Sequence, residues 1–210
     1  MLPINLNLRN KKILVIGGGK IALWKIQKLK NHGADIIAMA LNFCGAIKKI
    51  QNIKLIEREF KASDLKNIFL VIVATNDAKI NQQISQLAQK KGILVNVVDD
   101  VQKSDFCFSA DLQQGNLRIA VSTSGASPRL ARLIRDELQN NYSVEFKEFL
   151  KFLKKMRTQI CSKIIDSRKR QEFWQSNLTP LTLKKIRAGK RLEIQNDLYS
   201  TVFKNKYNTP

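Results

Sequence analysis

Lys12-Ile13-Leu14-Val15-Ile16-Gly17-Gly18-Gly19-Lys20-Ile21-Ala22 decides how the rest of the chain is read. Ile13 to Ile16 is a short apolar run whose length and composition suit a strand buried in a parallel sheet. Three glycines follow directly, and Ala22, Ile26 and Leu29 then recur at helical spacing. Strand, glycine turn and helix in that order are the setting that a dinucleotide fingerprint requires. Gly17, Gly19 and Ala22 satisfy its G-x-G-x-x-A form. Gly17 permits the tight turn, Gly19 the close approach of a pyrophosphate, and Ala22 close packing of helix on strand. The unpaired N–H groups and positive dipole end of the helix would then receive phosphate. The plainer alternative is a glycine-rich turn that binds nothing.

At 210 residues the chain can build one sizeable α/β core and a smaller addition. A hydrophobic content of 44% with 26% charged residues describes a globular protein rather than a disordered one. The longest apolar stretch, Ile68 to Ala74, is too short to span a membrane. The N-terminus lacks the charged-then-apolar pattern of a signal peptide, so a cytoplasmic protein is expected. Cys44, Cys107 and Cys161 are widely spaced, which gives neither a disulfide framework nor zinc spacing. A single histidine, His32, excludes a histidine-based triad or a multi-histidine metal centre. The net charge of +20 implies attraction to polyanions: nucleic acid, an anionic membrane or a polyacidic small molecule. A lysine-rich composition with solvated faces is the competing explanation.

Along the chain, Leu2 to Leu8 fits an edge strand or an N-terminal arm. Gly33 caps the first helix, and Asp35 to Met39 reads as a second strand. Its end, Met39-Ala40-Leu41-Asn42, lacks the acid that usually holds the ribose hydroxyls, so backbone and Asn42 must serve there. A short helix over Phe43 to Gln51, a strand over Ile53 to Glu57 and a short helix around Ser63-Asp64-Leu65 follow. Ile68 to Ala74 is a central strand ending in Thr75-Asn76-Asp77, small polar residues at a carboxyl end where ligands bind in open α/β sheets. Ile80, Ile84, Leu87 and Ala88 mark the next helix, and Ile93 to Val98 a fifth strand ending in Asp99-Asp100. This alternation predicts a doubly wound parallel sheet.

The pattern then changes. Phe106 to Leu112 and Leu117 to Ser122 are strand-like runs around the turn signal Gln113-Gln114-Gly115-Asn116. Ser127 caps a helix that starts at Pro128, with Leu130, Leu133, Ile134 and Leu138 expected inward and Arg129, Arg132 and Arg135 on another face. Those arginines beside a serine- and glycine-rich helix start suggest an anion site, against the alternative of a solvated basic face. From Ser143, Phe146, Phe149, Leu150, Leu153 and Ile160 form an amphipathic stripe, Thr179-Pro180 restarts a helix, and Asn205 to Pro210 should fray.

Taken in order, Leu2-Pro3-Ile4-Asn5-Leu6, the glycine loop with Lys20-Ile21-Ala22, Ala74-Thr75-Asn76-Asp77 with Asn81, Asn96-Val97-Val98-Asp99-Asp100 and Ser122-Thr123-Ser124-Gly125-Ala126-Ser127-Pro128 resemble one family. It is precorrin-2 dehydrogenase, the dehydrogenase–ferrochelatase module of sirohaem synthase. The last two motifs are the most specific, and the likeness weakens in the helical tail. Two departures stand out: Thr123 where some relatives carry serine, and Asn76 where an acid is common.

The resemblance implies an α/β fold: a Rossmann-like parallel sheet, a small α+β dimerisation segment and a helical C-terminal tail. The expected boundaries are 1–112 for NAD binding, 113–142 for dimerisation and substrate, and 143–210 for the helical domain. It implies NAD-dependent oxidation of precorrin-2 to sirohydrochlorin, with ferrous ion insertion in many members, by a homodimer. The family's catalytic aspartate falls on Asp99, and its cofactor contacts fall on Gly17, Gly18, Gly19, Lys20, Ile21, Leu41, Asn42 and Thr75. No protein metal site, membrane contact or nucleic-acid partner is expected. With no methyltransferase domain downstream, the preceding methylations are expected to belong to another protein. Two other classes compete: a regulatory module that senses NAD(H) without catalysis, and a nucleic-acid binder using the basic tail.

Overall fold

The structure is a computed structural model that describes residues 1–203; Asn205 to Pro210, expected to fray, lie outside the described residues. It divides into two compact units, one from Met1 to Phe108 and one from Ser109 onward. In the first, the elements follow as β1 (Lys12–Ile16), α1 (Lys20–Lys30), β2 (Asp35–Ala40), α2 (Gly45–Lys48) and β3 (Lys54–Glu57). A 3₁₀ turn (Ala62–Leu65), β4 (Leu70–Val73), α3 (Ala78–Lys90) and β5 (Leu94–Val97) complete it. The strands pair in the order β3-β2-β1-β4-β5, all parallel, so the Rossmann-like sheet read from the sequence is present. Consecutive β1 side chains enter opposite faces: Ile13 and Val15 pack in one core with Ala22 and Ile26, and Leu14 and Ile16 in the other with Ile84 and Ala88. Burial on both faces explains why this strand is a continuous apolar run.

Residues 1–8 form no strand, and only Leu8 among them is buried. The strand expected over Phe106 to Leu112 starts instead at Ala110. Before it, the chain covers the free edge of β5 largely with side chains. Asp105 accepts from Val95 N–H at 2.9 Å while its own N–H donates to Val95 C=O at 2.8 Å, and Ser104 Oγ accepts from Val97 N–H at 2.9 Å. An exposed edge is thereby closed without a sixth strand.

The second unit opens with an antiparallel hairpin, β6 (Ala110–Gln114) and β7 (Leu117–Val121). Its two-residue turn is Gly115-Asn116, with Gly115 at φ 61°, the sign a type II′ turn demands at that position. Helices α4 (Pro128–Asn141), α5 (Val144–Lys163), α6 (Ser167–Asn177), α7 (Pro180–Arg187) and α8 (Arg191–Phe203) follow. The expected α5 stripe is filled by Phe152 and Met156 alongside Phe146, Phe149 and Ile160, while Leu153 packs at its margin. Asp166 starts an additional helix there, accepting from Arg168 N–H at 2.7 Å.

Helix α4 departs from its sequence reading. Ala131 is its one buried residue, and Leu130, Leu133 and Ile134 are 48%, 46% and 36% exposed rather than turned inward. The helix lies against both strands of the hairpin, and a two-stranded ribbon is too narrow to cover a whole amphipathic face.

Candidate active site

The glycine loop lies at the carboxyl end of β1, between β2 and β4, which is the switch point of this strand order. Each glycine there answers a different constraint. Gly17 has φ 134°, and a Cβ on it would sit 2.2 Å from Ala74 C=O oxygen. A Cβ on Gly18 would lie 1.8 Å from the Asn42 carbonyl oxygen. Gly19, in contrast, is at φ −90°, and a Cβ there meets nothing within 4 Å. Two of the glycines let the backbone pack against β4 and the end of β2; the third opens onto free space.

Gly19 is also the N-cap of α1, and no side chain caps that helix. Helices α3 and α4 differ: Asp77 accepts from Lys79 and Ile80 N–H groups, and Ser127 from Leu130 N–H. The first-turn N–H groups of α1, including those of Lys20 and Ile21, therefore keep their donors for an anion. Leu41 and Ile21 are exposed at 63% and 46%, giving apolar surface beside the loop. Asn42 is exposed, and its neighbourhood is stitched to the loop by Cys44 N–H to Gly18 C=O at 2.9 Å and Gly17 N–H to Met39 C=O at 2.8 Å. Thr75 stands at the end of β4, bonded through its hydroxyl to Asn81, whose amide donates to Thr75 C=O at 3.0 Å. A donor-rich helix start, an open glycine and flanking apolar side chains fit a dinucleotide.

Asp99 occupies a turn after β5, at φ 60°, in the left-handed region that Asp tolerates better than most residues. Its side chain is exposed. Neighbouring Asp100 is engaged structurally: Lys103 Nζ lies 2.8 Å from it and Lys103 N–H donates to it at 3.1 Å, holding its carboxyl below the usual range. Asp99 and not Asp100 is thus the carboxylate left to face a ligand, and it makes no hydrogen bond or ion pair with another described residue.

Sequence reasoning passed over Lys25. It is 7% exposed on the inner face of α1, and its ammonium donates to Asn96 Oδ1 at 3.0 Å while lying 3.9 Å from the Phe108 ring centroid. Burial pulls it down to about 8, and the charges of Cys107 and Asp99 act in the opposite direction. The signal was available: Lys25 stands one turn from both Ala22 and Leu29, on the apolar stripe.

In the second unit, two hydroxyls of the loop read as an anion site bond within the loop itself. Thr123 Oγ1 accepts from Ser127 N–H at 3.0 Å and donates to Ser127 C=O at 3.1 Å, and Ser122 Oγ accepts from Ser124 N–H at 3.2 Å. Arg135 pairs with Asp136 at 2.6 Å, while Arg129 and Arg132 are exposed. Among the described residues no group of three or more His, Cys, Asp or Glu could hold a metal ion. No described helix is long and apolar enough to cross a membrane.

A family described as putative NAD(P)-binding matches residues 4–110, and one described as sirohaem biosynthesis protein central matches residues 114–141. The chain belongs to the family described as putative NAD(P)-binding. Curated sirohaem synthases similar to this chain include that of Blochmanniella pennsylvanica, 36% identical over 99% of this chain and 45% of the relative. Another, from Zymomonas mobilis, is 34% identical over 90% of this chain and 41% of the relative. The chain therefore spans less than half the length of these relatives. Among solved structures it resembles SirC, a precorrin-2 dehydrogenase, with TM-score 0.76 and 26% identity over 95% of this chain and all of that one.

Proposed function

We propose that this protein oxidises precorrin-2 to sirohydrochlorin, with NAD⁺ held on the Gly17–Gly19 loop and Asp99 as the proton acceptor. The observation that carries the reading is the uncapped α1 start at the open Gly19, on the sheet that also presents the exposed Asp99 turn. Likeness over the full length of a precorrin-2 dehydrogenase structure supports the same substrate. Bound NAD⁺ supplies the hydride acceptor. The reaction removes a hydride and a proton together, so it also needs a base, and Asp99 is a carboxylate exposed at a strand end. Lys20 and the first-turn N–H groups of α1 neutralise the pyrophosphate, Leu41 and Asn42 flank the adenosine, and Thr75 fixes the β4 end. The net charge of +20 draws in a polycarboxylate substrate.

Anaerobic incubation of the protein with precorrin-2 and NAD⁺ tests this directly. Sirohydrochlorin and NADH should appear in equal amounts. Binding of NADH without any turnover would leave the NAD(H)-sensing reading in its place. Ferrous ion added to the sirohydrochlorin formed then tests insertion, in which the tetrapyrrole supplies four nitrogens and the protein need only accept protons.

We further propose a homodimer through the hairpin and α4. Leu130, Leu133 and Ile134 form an exposed apolar strip that a second copy would cover. Light scattering should give twice the 24.0 kDa chain mass for the wild type and a single chain for Leu133→Asp. A dimeric Leu133→Asp would move the interface elsewhere.

A further inference from the structure

Lysine is among the residues least often buried, and a buried ammonium costs folding free energy unless it is bonded. Lys25 is bonded in a particular direction. Its ammonium meets Asn96 Oδ1 at 3.0 Å, and the same Asn96 amide donates to Phe106 C=O at 2.9 Å. Asn96 is itself 4% exposed and sits within β5, three residues before Asp99. The ammonium also lies over the Phe108 ring at 3.9 Å and the Trp24 ring at 5.0 Å. One side chain on α1, the helix that begins at the glycine loop, therefore grips both ends of the 96–108 segment that carries the Asp99 turn.

We propose that Lys25 is a positioning residue for Asp99, holding the 96–108 segment through Asn96 and through its positive charge. This inference rests on the assignment of Asp99 as the base. The titratable groups facing Lys25 are Asp99 and Cys107 from that segment and, on its own helix, Lys28, which lies over the same Trp24 ring at 5.8 Å. Asp99 is the one carboxylate among them, and the Lys25 charge attracts the turn that bears it as well as Cys107 further along the same segment. An aliphatic side chain would fill the space more cheaply, which makes a buried lysine a costly choice for packing alone.

Lys25 is charged below about pH 8 and neutral above it. Turnover should accordingly decline as pH rises through that value. In Lys25→Met, kcat for anaerobic precorrin-2 oxidation should fall about 30- to 100-fold, the scale of a displaced catalytic group. The KM for NAD⁺ should stay within about twofold, because the phosphate donors are untouched, and the alkaline decline should vanish. Lys25→Arg, which stays charged, should recover part of kcat and keep it to pH 9.5. In an Asp99→Asn background, Lys25→Met should add little further loss.

Wild-type kcat or an unchanged pH profile in Lys25→Met overturns the proposal while leaving the dehydrogenase reading intact. A loss carried wholly by KM for NAD⁺ overturns it too, since Lys25 would then serve the cofactor loop. Should Lys25→Met fail to fold in a thermal melt, the comparison of wild type with Lys25→Arg above pH 8 decides alone, and identical declines overturn it. An inactive wild type removes the dehydrogenase reading and this inference with it.

Discussion

Asp99→Asn should lower kcat for precorrin-2 oxidation by about 10²- to 10⁴-fold, the range that a positioned general base contributes. Asparagine is the right substitution because of the backbone. Asp99 sits at φ 60°, and asparagine tolerates that region, whereas alanine would add strain to the loss of the carboxylate. The change keeps size and turn, and removes only the charge and the ability to take a proton. NADH affinity, followed by fluorescence titration, should stay within about twofold, because the substitution leaves the proposed donors in the first turn of α1 untouched. The melting temperature should hardly move, since an exposed position outside the core rarely shifts stability by more than about 0.5 kcal/mol. Asp100→Asn is the contrasting variant. Its carboxylate is tied to Lys103, so it should change turnover by less than about tenfold while loosening the turn. If Asp99→Asn keeps a third or more of wild-type turnover, the aspartate is present for its φ angle alone and the base lies elsewhere.

The parts of this protein that were legible in its sequence are those where one local constraint dominates. Ile13 to Ile16 had to be a buried strand because both of its faces are covered, and the glycines after it had to turn because Gly17 adopts φ 134°. Ser127-Pro128 had to start a helix, since the hydroxyl accepts from Leu130 N–H and proline lacks the donor that position cannot use. Illegible features depend on what a distant segment supplies. Nothing local to Phe106 says that Asp105 and Ser104 side chains, not a backbone ladder, will meet the β5 edge. The apolar stripe of α4 announces that something covers it, but cannot say that Ala131 alone will be buried. Lys25 was hidden for a related reason. A lysine on an apolar stripe looks like an interruption until Asn96, far along the chain, is seen to receive it.

The three loop glycines should respond to alanine in opposite ways, and that contrast separates folding from binding. In Gly18→Ala the new Cβ would lie 1.8 Å from the Asn42 carbonyl oxygen, a backbone atom that cannot swing aside as a side-chain tip could. In Gly17→Ala the φ of 134° adds a conformational penalty to a 2.2 Å clash with Ala74. Each should destabilise the protein by about 3 kcal/mol or more, combining overpacking with backbone strain. For a chain of this size that lowers the melting temperature by roughly 6–12 °C. Gly19→Ala has no such conflict, since its φ is ordinary and its Cβ meets nothing within 4 Å. Its stability should hold or rise by about 0.5 kcal/mol, because alanine narrows the unfolded ensemble. Affinity for NADH should nonetheless fall about 10- to 100-fold. The methyl group would push the pyrophosphate away from the α1 N–H groups, and hydrogen bonds to a charged group are worth about 1.5–3 kcal/mol. A melt and a titration on each variant suffice. Gly19→Ala binding NADH as tightly as the wild type would mean that the open space at this glycine is not where phosphate sits, and the cofactor would have to be placed elsewhere on the sheet.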